Sequence, residues 1–174
     1  MNNEVLQNIR TRRSCRAYTA QPVEPEKLKA ILEAGTWAAS GHGWQAAKIV
    51  VLQDAAEIAE LERMNAAVLG NPAAHPFYGA PVVCVVLTDP EVSTCVEDGA
   101  LVIGNLMLAA HSLGVASCWI HRAREEFDSP EGKALLKKWG VDERYIGVGH
   151  CILGYAANEA PAPKPRKNDY VIYR

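Results

Sequence analysis

The stretch Arg12-Arg13-Ser14-Cys15-Arg16-Ala17-Tyr18 is the segment from which the rest of the chain can be interpreted. A short helix with Val5, Leu6 and Ile9 along one side precedes it. Pro22 follows it, so the helix has ended before that residue. The cationic segment is therefore predicted to lie at a helix-to-loop junction.

Arginines grouped around a serine hydroxyl are suited to a phosphate group. Guanidinium donors are fork-shaped, and each charge-assisted hydrogen bond contributes about 1.5–3 kcal/mol. A second basic group, Lys164-Pro165-Arg166-Lys167, could close on the same dianion. The alternative for both groups is a solvated basic surface, because exposed runs of charge are common. The residue chemistry alone leaves both interpretations open.

The composition of the 174-residue chain predicts one globular domain over residues 1–174. The formal net charge is −2, so no global field favours a nucleic acid. No apolar stretch is long enough to span a membrane, and the N-terminal arginines are not followed by the apolar run of a secretory signal. Five cysteines without a C-x-x-C pair indicate reduced thiols and a cytoplasmic location.

The apolar periodicity predicts a mixture of helices and strands. Strands are expected at residues 48–52, 82–86, 115–120 and 146–153, and helices at residues 25–39, 55–69, 94–113 and 129–140. The 94–113 helix is apolar around most of its circumference, so a partner subunit is the natural means of enclosing it. Residues 155–174 are rich in alanine, proline and lysine. They are expected to form an extended tail that crosses to the partner and adds an edge strand.

Three other patterns invite functional readings that their context does not support. Gly41-His42-Gly43-Trp44-Gln45-Ala46 matches a dinucleotide-binding pattern, but a helix precedes it and a strand follows, which reverses the required order. Cys118-x-x-His121 and His150-Cys151 do not supply two spaced ligand pairs, so no metal site is expected. No local signature selects a Cys-His nucleophile, and His111 is expected to be a hydrogen-bonded interior or interface residue.

Taken in order, these features resemble the FMN-dependent nitroreductase family. The 12–18 segment matches its R-R-S-x-R-x-[FY] motif and is followed by Pro22-Val23. The likeness continues through Gly79-Ala80-Pro81 before a strand, through residues 98–119, and into Leu153-Gly154-Tyr155 with the basic tail. The resemblance implies an α+β fold, with a central, mainly antiparallel sheet flanked by helices. It also implies an intertwined homodimer that holds two FMN molecules at its interface.

The resemblance also assigns roles to the basic residues. Arg12, Ser14 and Arg166 would hold the FMN phosphate, with Arg13 and Lys164 as candidate helpers. A further arginine, Arg16, would lie near the N1–C2=O edge of the ring, where its charge favours the anionic reduced flavin.

The family loop A-P-S-x-x-N-x-Q-P-W corresponds to residues 38–47 of this chain. Its serine and glutamine are kept, Gly43 replaces the asparagine, and alanines replace both prolines and the tryptophan. The resemblance implies that this loop reaches the partner's flavin. The residues expected to line that composite site are Ser40, Gly41, His42 and Gln45.

Two further segments correspond to flavin contacts in the family. The residues Trp119, Ile120 and His121 lie where relatives place backbone amides against the N5 side of the ring. The side chains of His121 and Arg122 could contact an acceptor or nicotinamide, or point away from the site. Asn65 aligns with a family asparagine that touches the ring.

The implied activity is ping-pong hydride transfer from NADH or NADPH, through flavin N5, to a small electron-poor acceptor such as a nitroaromatic or a quinone. No protein nucleophile is required. One alternative is a flavin-holding or redox-sensing protein with little turnover, because the 38–47 loop is altered. Another is a divergent reaction of the same cofactor, namely dehalogenation, flavin reduction or dehydrogenation.

Overall fold

The computed structural model describes residues 3–174, which form an α+β fold of six α-helices and four strands. The helices are α1 (Glu4–Thr11), α2 (Pro25–Thr36), α3 (Ala55–Val68), α4 (Cys95–Ser112), α5 (Ala123–Asp128) and α6 (Pro130–Lys138). The strands are β1 (Ala47–Leu52), β2 (Val82–Thr88), β3 (Ala116–Ile120) and β4 (Ile146–Gly154). One 3-10 turn, Gly41–Gly43, lies between α2 and β1.

The four strands form one sheet in the order β1-β2-β4-β3, and each neighbouring pair is antiparallel. The two central strands, β2 and β4, are buried along their whole length. This confirms the expected central antiparallel sheet and the strand positions read from the apolar runs.

Helices cover both faces of the sheet, which explains why β2 is continuously apolar. Successive residues of a strand point to opposite faces. Val83 and Val85 pack in the cluster with α3, α5 and α6, whereas Cys84 and Val86 pack in the cluster with α2 and α4. Neither face is left to solvent, so no polar alternation is needed.

The helix α4 is enclosed on one side by its own chain. Ile103, Leu106 and Ala110 are fully buried, whereas Leu101 is 50% exposed. Gly104 lies three residues further along from Leu101, and a Cβ placed on it would have no neighbour within 4 Å. The side of α4 that faces the sheet is therefore buried by its own chain. The side that carries Leu101 and Gly104, here called the open strip, remains exposed.

One helix boundary and one additional helix differ from the sequence prediction. The helix α2 ends at Thr36 rather than Ala39, because the chain leaves the helix at Trp37 and turns toward α4. The short helix α5 was not predicted, since six residues give too little of a 3.6-residue stripe to detect. It starts after Arg122, whose φ of 82° lies in the left-handed region.

The tail begins against the cationic segment and then lies on the surface. Ala157 N donates to Ala17 O, and Thr19 N donates to Tyr155 O. Residues 156–174 are exposed and form no helix or strand beyond a single bridge between Tyr18 and Ala156. Its crossing to a partner stays a prediction.

Candidate cofactor site

The cationic segment is fixed to the edge of the sheet. The helix α1 ends at Thr11 because the backbone of Arg12 turns extended, with ψ at 135°. The next residues run alongside β3, where Ser14 pairs with Ser117 and Cys15 N donates to Ser117 O at 2.9 Å. Main-chain hydrogen bonds thus hold the predicted phosphate-binding segment in a defined position.

A cavity of about 510 Å³, here called the cationic cavity, opens beside this segment. Its wall includes three of the predicted site residues, Arg13, Ser14 and Arg16. It is completed by the end of α4, the start of β3 and the first residues of the tail, including Glu159. The structure therefore brings together the serine and two of the three arginines of the motif.

The two adjacent arginines, Arg12 and Arg13, have different surroundings. Arg13 Nη1 donates to the carbonyls of Arg10 and Arg12, at 2.7 Å each, and its Nε is buried without a hydrogen-bond partner in the described chain. Arg12 is not part of the cavity wall, and its Nη1 lies 4.0 Å from Met107 Sδ. Of these two arginines, Arg13 lines the cavity and Arg12 does not, and the assignment of the phosphate to Arg12 stays a prediction.

A histidine that the sequence did not assign to the site also lines the cationic cavity. His111 is in the last turn of α4, with its Nε2 2.8 Å from the Oγ1 of Thr11. Burial, followed by the charges of Arg12 and Arg13, lowers the pKa of His111 below its ordinary value of 6.5. The imidazole is therefore neutral in the cavity at neutral pH.

The 38–47 loop borders a second, larger cavity of about 1100 Å³, here called the groove. Ser40 and Gln45 line it, together with α2, β1 and Asp98 of α4. The neighbouring Gly41 and His42 do not form part of its wall. Of the four predicted loop residues, two therefore face this cavity.

The loop is held at Gly41 and has an unusual backbone conformation in the residues that follow. Gly41 N donates to both carboxylate oxygens of the buried Asp98, at 3.0 and 3.2 Å. A Cβ at Gly41 would lie 2.2 Å from Thr94 Oγ1, so only glycine fits there. His42 and Gln45 adopt φ values of 53° and 52°, a region that non-glycine residues rarely enter.

Asn65 is fully buried beneath the turn that follows β3. Its Nδ2 donates to His121 O at 2.8 Å and to the carboxylate of Glu126. Its Oδ1 accepts two hydrogen bonds from Arg122, at 3.0 Å from Nε and 2.8 Å from Nη2. This side chain thus ties α3 to the turn, and its polar atoms are all used within the chain.

The other predicted residues of this region differ in exposure. Ile120 is buried, Trp119 is half-buried, and the side chain of His121 is exposed. The tail residues Lys164 and Arg166 are exposed and line neither cavity, and Arg166 Nη2 donates to Lys164 O. A single chain therefore does not bring the tail cations to the cationic cavity.

Two other kinds of site are absent from the described residues. Among residues 3–174, no helix combines the length and apolarity needed to cross a bilayer. Within the same range, no cluster of three or more histidine, cysteine, aspartate or glutamate side chains is arranged to hold a metal ion.

The fold and the two cavities define an α+β protein with a cationic cavity at the edge of an antiparallel sheet. The chain belongs to the nitroreductase family, since the Nitroreductase family model matches residues 9–155. It is 31% identical over 162 residues to an Archaeoglobus fulgidus protein named "Putative NADH dehydrogenase/NAD(P)H nitroreductase", covering 90% of this chain and 87% of the relative.

Two solved structures of nitroreductases with bound FMN share this fold. The Bacteroides fragilis protein has a TM-score of 0.91 and 33% identity, covering 99% of this chain and all (100%) of that one. The Desulfitobacterium hafniense protein has a TM-score of 0.91 and 29% identity, covering 100% of both chains. The resemblance drawn from the motifs is thereby confirmed.

Proposed function

We propose that this protein binds FMN and passes reducing equivalents from NADH or NADPH to a small electron-poor acceptor, such as a nitroaromatic or a quinone. The observation that carries the proposal is the convergence of Arg13, Ser14 and Arg16 on one cavity. The unpartnered Nε of Arg13 adds to it, because a buried donor without a partner costs about 1–3 kcal/mol. An anion in the cavity would satisfy that donor.

In this proposal the cationic cavity receives the phosphate of FMN. The Ser14 hydroxyl and the Arg13 guanidinium hold it, and Arg16 keeps a fixed positive charge beside the ring. Arg12 strengthens the positive field from outside the wall. The tail cations Lys164 and Arg166 close over the phosphate once the tail is ordered against a second subunit.

The two halves of the proposed site lie at opposite ends of α4. Asp98 belongs to the groove and His111 to the cationic cavity, and thirteen residues of helix separate them by roughly 20 Å. A second copy of the chain, packed antiparallel on the open strip of α4, would bring its 38–47 loop to the first copy's cavity. We therefore propose a homodimer in which Ser40, Gly41, His42 and Gln45 serve the partner's flavin.

The turn after β3 would present main-chain groups to the ring. We propose that Trp119, Ile120 and His121 supply this backbone, while Asn65 and Arg122 fix its position from behind. Since the polar atoms of Asn65 are engaged within the chain, its contribution is to hold the turn rather than to recognise the cofactor directly.

FMN, when bound, supplies the chemistry of accepting and donating hydride at N5. The chain binds and orients it, balances its charge and shapes the space for the nicotinamide and the acceptor. We further propose that the protein is one cytoplasmic domain with reduced thiols, consistent with the five cysteines that form no disulfide.

The test begins with the purified protein denatured to release its small molecule. The expected result is the absorption spectrum and mass of FMN. Anaerobic mixing with NADH or NADPH should then bleach the flavin, and a quinone or nitroaromatic should restore its colour. A spectrum inert to both nucleotides would favour the flavin-holding alternative, and failure to take up excess FMN would overturn the proposal.

A further inference from the structure

The cationic cavity contains a titratable group that the proposed phosphate ligands do not account for. His111 lies at the C-terminal end of α4 and forms part of the same wall as Arg13, Ser14 and Arg16. Any role of this imidazole in binding the phosphate rests on the proposed binding of FMN.

The hydrogen bonds of Thr11 determine which nitrogen of His111 carries a proton. The single hydroxyl proton of Thr11 is donated to Gln7 O, 2.8 Å away. The contact of 2.8 Å between Thr11 Oγ1 and His111 Nε2 therefore requires Nε2–H to be the donor. In the neutral ring, Nδ1 is then an unprotonated acceptor, and it has no partner among residues 3–174.

Charged residues from three parts of the chain act on His111 or line the same cavity. Arg12 and Arg13 follow α1, Arg16 belongs to the next loop, and Glu159 belongs to the tail. The thiol of Cys15 also lines the cavity, whereas β3 contributes only uncharged residues. Before an anion binds, the nearby guanidiniums disfavour an imidazolium.

A dianionic phosphate reverses this balance. The two negative charges of a phosphate dianion in this cavity would lie beside His111 and offset the repulsion from the guanidiniums, which favours protonation of the imidazole. The carbonyl end of α4 adds partial negative charge at the same place, which also favours a cation there. Both effects favour protonation of Nδ1, the His111 nitrogen that does not contact Thr11.

We propose that His111 is a further ligand of the FMN phosphate, and that FMN binding is accompanied by uptake of one proton from solvent at His111 Nδ1. The resulting imidazolium donates from Nε2 to Thr11 and from Nδ1 to a phosphate oxygen. Phosphate recognition by this protein is thus coupled to pH through a residue outside the arginine motif.

The test is calorimetric titration of the flavin-free full chain with FMN at pH 7.0, in buffers of different ionisation enthalpy. The dependence of the observed heat on buffer enthalpy gives the number of protons taken up. Wild type should take up more than about half a proton, and His111→Gln none, because FMN itself is already largely dianionic at this pH. His111→Lys should bind FMN without proton uptake, since it supplies a permanent charge.

Affinity provides a second readout. The loss of one charge-assisted bond should weaken FMN binding by His111→Gln about tenfold or more at pH 7.0, and less at pH 8.5. Riboflavin, which lacks the phosphate, should show no uptake with any variant. His75→Gln, which changes an exposed histidine on the loop after α3 that pairs with Glu62 of α3, should match wild type.

Different results would overturn the role of His111 and the proposed function. Tight FMN binding with equal proton uptake in wild type and His111→Gln would overturn the role of His111 and leave the proposed function standing. Tight binding by wild type with no uptake would do the same. The absence of FMN binding in every variant would overturn the proposed function itself.

Discussion

His150 Nε2 lies 2.5 Å from a carboxylate oxygen of Glu126, and both side chains are completely buried. His150 Nδ1 is buried without a partner in the described chain. A proton on Nδ1 would be an unsatisfied donor, so the geometry favours the arrangement in which Nε2–H donates to the Glu126 carboxylate. The second carboxylate oxygen accepts from Asn65, which connects this pair to the turn after β3.

Removing the Glu126 carboxylate should destabilise the fold strongly. Glu126→Ala leaves the donors of His150 and Asn65 unpaired in the core, and we expect a loss of about 3–5 kcal/mol in the free energy of unfolding. Urea denaturation measures it. Glu125→Ala, at the neighbouring exposed position, is the matched control and should change stability by less than about 0.5 kcal/mol. Equal midpoints for the two variants would contradict the assignment.

The open strip of α4 provides a test of the proposed dimer. Leu101→Arg places a charge at the half-exposed position beside Gly104, and we expect it to convert a dimer into a monomer that holds FMN poorly. Sedimentation velocity with absorbance at the flavin band reports both properties. Ala67→Arg, on the exposed side of α3, should remain dimeric and yellow. A monomeric wild type that binds FMN fully would disprove the composite site.

Alkylation should distinguish one cysteine from the other four. Cys15 is half-buried and lines the cationic cavity, whereas the remaining cysteines of the described chain are buried. Burial also raises the pKa of Cys84 to about 12, and raises that of Cys151. Because the thiolate is the reactive form, iodoacetamide at pH 8 should modify about one thiol per chain.

Mass spectrometry of the peptides should locate this modification at Cys15. Bound FMN should slow it, and Cys15→Ser should abolish it without affecting the other thiols. Rapid labelling of Cys84 in the folded protein would show that the core opens more readily than its burial implies.

The flavin-free protein should become more stable as pH rises through the lower pKa range of histidine. The folded-state pKa of His111 is lowered by burial and by Arg12 and Arg13, so the unfolded chain binds more protons between that lowered pKa and 6.5. Stability contributed by the neutral ring is therefore present above about 6.5 and is lost as pH falls through this window. Urea midpoints at pH 5.5 and 7.5 should differ less for His111→Gln than for wild type. A larger difference in the variant than in wild type would contradict the predicted direction of the His111 contribution to the pH dependence of stability.

Features encoded locally could be predicted from the sequence. The apolar runs of β2 and β4 and the cap at Asp54 each depend on neighbouring residues, and the structure has them where they were expected. The pair formed by Glu126 and His150 could not be predicted, because it joins a short helix to a central strand through tertiary packing.

The sequence motif does not determine which of Arg12 and Arg13 faces the cavity. Both arginines follow the end of α1, so which of them faces the cavity depends on the residue at which the helix stops. The sequence places that end only to within a few residues. The position of His111 in the cavity wall was not predicted for a related reason, since its place on an apolar helix gave no indication of the cavity at the helix end.

The strand order has a consequence for how the protein is made on the ribosome. The last strand to be synthesised, β4, is the one that lies between β2 and β3. Until residue 154 has emerged, β3 has no strand partner, and β2 presents an unpaired apolar edge to other nascent chains. Completion of the sheet must therefore wait until β4 has left the ribosome, and chaperone protection matters most before that point.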